Sequence, residues 1–315
     1  MILKQNNRMK VDYGSLLFNA AGVGIVLLVV GYTGASFVIK EQAGVCSARY
    51  PSPFVMNLRT VDGDLYTPME LKGYIGRAQR GVTQNARTMD VETGEFSGAG
   101  LRIRMDEGTT TGYEKGDIPG GVGFAWTPGD MNGAQAACLR YRMKLPNDFD
   151  FGKGGLLPGL YGGKPLRADQ KAVGDKSFAS RLVWRTGGQG AAFAQYEGLD
   201  HSGYAFASKQ LRIPKGNWID VQQEVVLNTP GKADGLVRVW IDGKLGLEQN
   251  GIPWRTSADI GIEGVIAEVT YGIPRLSVMA PALTSIEISE FEVSWQSSRP
   301  HQTATKPKSG NIVRF

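Results

Sequence analysis

Two runs of alternating residues hold their cations on one parity. In ACLRYRMKL (137–145) these are Arg140, Arg142 and Lys144, and in FASRLVWR (178–185) they are Arg181 and Arg185. A guanidinium fork binds a carboxylate through two parallel hydrogen bonds, so such a face suits a polymer bearing carboxylates. It equally suits the wetted side of a half-buried sheet. Other chemistry is sparse. The chain has two histidines, His201 and His301, and no HExxH, CxxC or paired-histidine spacing, which argues against a catalytic zinc; no metal or cofactor is implied. No G-x-S-x-G or P-loop spacing occurs. Glu290 and Glu292 share a parity in SIEISEFEVSW, which leaves glycoside hydrolysis by two carboxylates as a minor alternative.

What positions these residues reads as β-structure. Forty-three glycines in 315 residues far exceed the usual share of about 7%. Beyond residue 46 the apolar period is two. Leu139, Tyr141, Met143 and Leu145 alternate with the cations of the first run, and Phe178, Ser180, Leu182 and Trp184 with those of the second. Ile219, Val221, Gln223, Val225 and Leu227 form one face of a third run, and Val237, Val239 and Ile241 one face of a fourth. Ile286 and Ile288, then Phe291, Val293 and Trp295, give a fifth whose phase slips at Ser289-Glu290, as a β-bulge requires. Turn sequences such as NTPGKADG and DGK separate the runs. Short strands at regular spacing predict an all-β sandwich, a jelly roll of the concanavalin-like kind, over 46–297. GGLLPGLYGGK (154–164) reads as a close-packed turn or as backbone that something must approach closely, because each glycine disfavours a regular element.

The ends differ from the body. Leu16–Ile39 holds 24 residues without a formal charge, enough to cross a hydrocarbon core of about 30 Å as one helix. A cleavable signal peptide would have a shorter apolar region, although Thr33-Gly34-Ala35 resembles a cleavage site. The basic flank 1–15 places the N-terminus inside, hence a single-pass bacterial inner-membrane protein whose bulk faces the periplasm. Of the net charge of +5, residues 1–15 contribute +2 and 298–315 contribute +4, which leaves −1 between them. A near-neutral body argues against a nucleic-acid partner. The tail 298–315 has almost no apolar content and reads as disordered. In an oxidising compartment Cys46 and Cys138 are expected to pair, closing a loop of about 90 residues.

Five segments follow one another in order: GGLLPGLYGG, FASRLVWR, NTPGKADGLVRVWIDG, YGIPRLSVMAP and FEVSW. Over 136–297 this series resembles the alginate- and glucuronan-type polysaccharide lyases with a jelly-roll fold, the group that includes chlorovirus alginate lyase. The resemblance implies a sugar groove with Tyr161 of the glycine-rich turn at one end, and a catalytic arginine that this chain keeps as Arg181. It implies paired tyrosines on the next strand; here Tyr196 is kept and Phe193 or Ala194 replaces the other. It also implies a lysine where this chain has Leu156 and a serine where it has Ala179. Lys153 or Lys164 could supply the missing cation and His201 an acid or base, with Arg140, Arg142 and Arg185 lining the groove. The resulting expectation is a membrane-anchored protein that binds a polysaccharide, acidic if those cations read it, beside synthase or export machinery. The alternative is an active lyase working by β-elimination.

Overall fold

Alternation of large apolar and polar side chains gives each strand one face to bury, and two such sheets bury them against each other. The computed structural model describes residues 44–296 apart from 51–52, 77–78, 94–95, 130, 132 and 274–277. The flank 1–15, the apolar run 16–39 and the tail 298–315 lie outside the described residues. Among the described residues no helix is long and apolar enough to cross a membrane.

The strands in chain order are β1 (Phe54–Val55), β2 (Ala86–Thr93), β3 (Phe96–Met105), β4 (Val122–Trp126), β5 (Ala136–Lys144), β6 (Gly155–Gly163), β7 (Ser177–Trp184), β8 (Gln189–Gln195), β9 (Tyr204–Arg212), β10 (Trp218–Val226), β11 (Gly235–Ile241), β12 (Lys244–Ile252), β13 (Ile262–Tyr271), β14 (Thr284–Ser289) and β15 (Glu292–Gln296). One antiparallel sheet runs β12-β11-β10-β5-β14-β3-β2, with β15 pairing β5 and β1. The other runs β4-β13-β6-β7-β8-β9. Two short helices, α1 (Pro68–Ile75) and α2 (Val82–Asn85), precede β2.

The core lies between the sheets. Leu139, Tyr141 and Met143 of β5 and Val221 and Val225 of β10 join Phe178, Leu182 and Trp184 of β7 in one buried cluster. A polar bridge runs from Gln223 Nε2 to Ser180 Oγ at 3.2 Å, tying β10 to β7. Ile288 pairs with Met143 and Glu292 with Arg140, so the chain has one residue more than β5 between β14 and β15. That extra residue is the phase slip at Ser289-Glu290.

The glycine-rich stretch corrects the turn half of the sequence reading. It is not a turn but β6, buried in the middle of the six-stranded sheet. Two of its glycines face aromatic partners on β7: Gly155 is opposite Trp184 and Gly162 opposite Phe178. A Cβ at Gly155 would lie 2.0 Å from Trp184 Cζ2, and one at Gly162 would lie 2.1 Å from Phe178 Cε1. Tertiary close approach, not backbone freedom, selects these glycines.

Cys46 and Cys138 form a disulfide with Cα atoms 5.6 Å apart. It fastens residues 45–50 across the outside of the larger sheet. There Arg49 (2.6 Å) and Tyr50 (2.7 Å) contact Glu224, whose buried carboxylate also pairs with Arg238 at 3.1 Å.

Candidate functional site

The outward face of the six-stranded sheet is built by residues of opposite parity to the core: Ile266 and Glu268 on β13, Leu156 and Tyr161 on β6, Ala179, Arg181 and Val183 on β7, and Phe193 and Gln195 on β8. Arg181 stands at its centre, opposite Gly159 on one side and Phe193 on the other. It is fully buried and ion-paired with Glu268 at 2.8 Å. Its guanidinium also donates to the Gln195 side-chain oxygen and to the Leu166 carbonyl. The Tyr113 hydroxyl donates to the Glu268 carboxylate, and the Ala168 N–H does so at 3.2 Å. Burial first, then the Glu268 charge, pushes the Tyr113 phenol far above its usual range, so it stays a donor.

This network clamps a covering segment. Gln195 Nε2 donates to the carbonyls of Arg167 (3.1 Å), Ala168 (3.3 Å) and Gln170 (2.7 Å). The two ends of the segment meet where the Lys164 N–H donates to the Lys176 carbonyl at 2.8 Å. Beneath it Leu156, Val183, Ala191 and Phe193 pack on Ala168. The centre of the outward face is therefore filled by the chain's own residues 164–176. Removing one partner of such a buried pair costs about 3–5 kcal/mol, because the other charge is left uncompensated.

The remaining residues singled out in the sequence are dispersed. Tyr196 follows β8 with core parity and packs on Trp254 at 6.3 Å, on the opposite side of the sheet from Arg181. β8 presents Phe193 and Gln195 to the Arg181 face, so Arg181 and Tyr196 do not share the groove that the resemblance implies. His201, Lys153, Lys164 and Arg185 are exposed in the connections that flank these strands. Tyr161 is on the outward face, its hydroxyl 2.6 Å from Thr127 Oγ1. Arg140 and Arg142 belong to the other sheet: β5 turns its polar parity outward on the far side of the core. There Arg140 pairs with Asp220 (2.6 Å) and Glu292 (3.5 Å), while Arg142 lies 3.6 Å from Glu292 and over Phe96. The cations of the two runs thus do not line one groove. Glu290 accepts the Leu58 N–H at 3.1 Å, whereas Glu292 is held by those arginines, so the two carboxylates do not face each other as a hydrolytic pair. Among the described residues no group of three His, Cys, Asp or Glu is placed to hold a metal.

What stays open on the outward face lies toward β4. A cleft of 590 Å³ runs between Phe54, Tyr74, Ala125, Thr127, Tyr161 and Pro165. A second, of 370 Å³, adjoins it at Pro165 and is lined by Gln79, Arg80, Arg167, Ile266 and Glu268. Tyr74 is placed by α1, whose start is set by Pro68 and a capping box in which Thr67 and Glu70 satisfy each other's N–H groups. Arg80 exchanges backbone hydrogen bonds of 2.6 and 2.8 Å with Gly123, prolonging the sheet edge beside β4. The sequence reading missed Phe54, Tyr74, Arg80, Tyr113 and Glu268. The available signals were the T-P-M-E capping box (67–70) and an acid, Glu268, set within the otherwise uncharged run 264–271 of β13.

The model of the family Polysaccharide lyase 14 matches residues 93–282. Among solved structures, a marine PL-14 alginate lyase from Aplysia kurodai is similar with a TM-score of 0.61 and 22% identity, over 71% of this chain and 92% of that one. Alginate lyase vAL-1 from a Chlorella virus gives 0.56 and 19% over 67% and 90%. A mutant of alginate lyase Aly36B, in complex with alginate tetrasaccharide, gives 0.59 and 17% over 78% and 98%. No curated protein matches the chain.

Proposed function

The chain belongs to the polysaccharide lyase 14 family, and we propose that within it this protein binds a polysaccharide without cleaving it efficiently. The observation that carries this reading is the buried Arg181–Glu268 pair beneath residues 164–176. β-Elimination from a uronate needs a cation or proton donor at the carboxylate, a base for the C5 proton and an acid for the leaving oxygen. Arg181 already has a carboxylate partner from its own chain. The neighbouring positions Leu156, Ala179 and Phe193 hold no titratable group, and Gln195 is spent on the covering segment. Tyr196 points away, and burial keeps its phenol raised and protonated.

The apolar run 16–39, its basic flank and the disulfide support placement as a single-pass protein of a bacterial inner membrane, with the β-sandwich in the periplasm. In that position the protein would hold an exported polysaccharide close to its synthase or export machinery. Electrophoresis of the full chain through gels containing alginate, glucuronan or neutral glucans tests the binding. Retardation by at least one polymer is expected, and retardation by none would overturn the proposal. The second reading, an active lyase, is favoured by the retained Arg181 and requires residues 164–176 to leave the sheet. It predicts ultraviolet absorbance from unsaturated sugar, lost in Arg181→Gln.

A further inference from the structure

The paired clefts beside β4 owe one wall to Phe54, Tyr74, Ile75, Gln79 and Arg80, which lie outside the matched region 93–282. This wall holds two kinds of group. Phe54 and Tyr74 are 40% and 37% exposed, rings open to a partner at one end. At the other end Arg80 and Arg167 stand over the Tyr113 ring at 5.9 and 5.2 Å.

Charge at the arginine end is unevenly matched. Glu268 is consumed by Arg181, Tyr113 and the Ala168 N–H. Arg167 is held by Asp169 at 2.7 Å. Arg80 donates from Nη1 to the Gly120 carbonyl at 3.3 Å, and it forms no ion pair among the described residues. Its Nη2 is a buried donor and the Gln79 side-chain oxygen a buried acceptor, both without a hydrogen-bond partner. A buried unmatched donor is costly unless a ligand or water completes it.

We propose that these clefts form a glycan subsite that reads a sugar carboxylate through Arg80, with Arg167 flanking it, while Tyr74 and Phe54 stack on the apolar face of a neighbouring pyranose. The proposal rests on the binding reading above and adds where the ligand sits and what it carries. The carboxylate-reading arginine is thereby moved from the covered Arg181 to the open edge of the same sheet. The combination of an unpaired guanidinium and stacking rings is what distinguishes a uronic acid polymer from a neutral glucan.

The test is calorimetric titration of the full chain, in detergent, with alginate and glucuronan oligosaccharides and with a neutral cello-oligosaccharide, at low and high salt. The unsubstituted chain is expected to bind an acidic oligosaccharide more tightly at low salt. Arg80→Gln should weaken that binding by about ten- to a hundredfold and flatten its salt dependence. Tyr74→Ala should weaken it while leaving the salt dependence in place. Far-ultraviolet circular dichroism and the melting temperature report whether each variant is folded. Acidic binding unchanged in both variants would overturn this subsite and leave the polysaccharide reading standing. Preference for the neutral oligosaccharide would overturn the role of Arg80. Failure of all oligosaccharides and all polymers to bind would remove the polysaccharide reading, and the subsite with it.

Discussion

Replacing Glu268 by glutamine keeps the shape of the side chain and one carbonyl acceptor but leaves Arg181 charged in a fully buried site. The Leu166 and Gln195 oxygens still accept from the guanidinium, so the loss is chiefly that of the countercharge. Breaking a buried pair on one side is worth about 3–5 kcal/mol. At about 2–4 °C per kcal/mol for a domain of this size, the melting temperature should fall by roughly 6–20 °C. The double variant Arg181→Met, Glu268→Gln removes the orphan charge and should recover a large part of that loss. Because the pair also holds the covering segment, trypsin should cut Glu268→Gln faster at the exposed Arg167, Lys171 and Lys176. A loss below about 1 kcal/mol, or a double variant whose loss equals the sum of the two single ones, would refute the coupling of this pair.

Other consequences follow from single features. Gly155→Ala sets a Cβ against the Trp184 indole and should destabilise the sandwich by about 1–3 kcal/mol in denaturant titration. Cys138→Ala opens a link between residues 92 apart in sequence and should cost about 2–5 kcal/mol, matched by reduction of the unsubstituted chain. Burial raises the Glu263 carboxyl above its ordinary range, so the folded state holds its proton more tightly than the unfolded chain. Stability from this group is therefore present below the usual carboxylate pKa and is lost as pH rises through the raised value. Glu263→Gln should accordingly be more stable than the unsubstituted chain at neutral pH, with the gain vanishing in acid; melting curves across pH measure it.

Much of the sandwich is legible in the sequence because the strands facing the core alternate cleanly. β5, β7, β10 and β11 each show a large apolar residue at every second position or a close approach to it. β6 escapes that logic. Its glycines lower intrinsic strand preference, and only the pairing with Trp184 and Phe178 across the strand shows why they are there. The candidate site is legible in part. Arg181 stands out, but its partner Glu268 is two strands away through the order β13-β6-β7, which no local pattern encodes. Assigning Arg140 and Arg142 to the same surface fails for the same reason, since parity fixes a face of a strand without saying which sheet the strand joins. Tyr196 is misplaced by a single position. The register of Arg181 with Phe193 makes 191, 193 and 195 the outward residues, and one step flips a side chain across the sheet. Phe54, Tyr74 and Arg80 come from a stretch of short helices and bridges with no sustained period.

The most direct test of binding without cleavage is to follow ultraviolet absorbance from unsaturated sugar while the full chain, at a concentration matching the polymer ends, stands with alginate and glucuronan. A flat trace from a preparation that the same polymers retard in a gel is the predicted result. A rising trace that disappears in Arg181→Gln would contradict it.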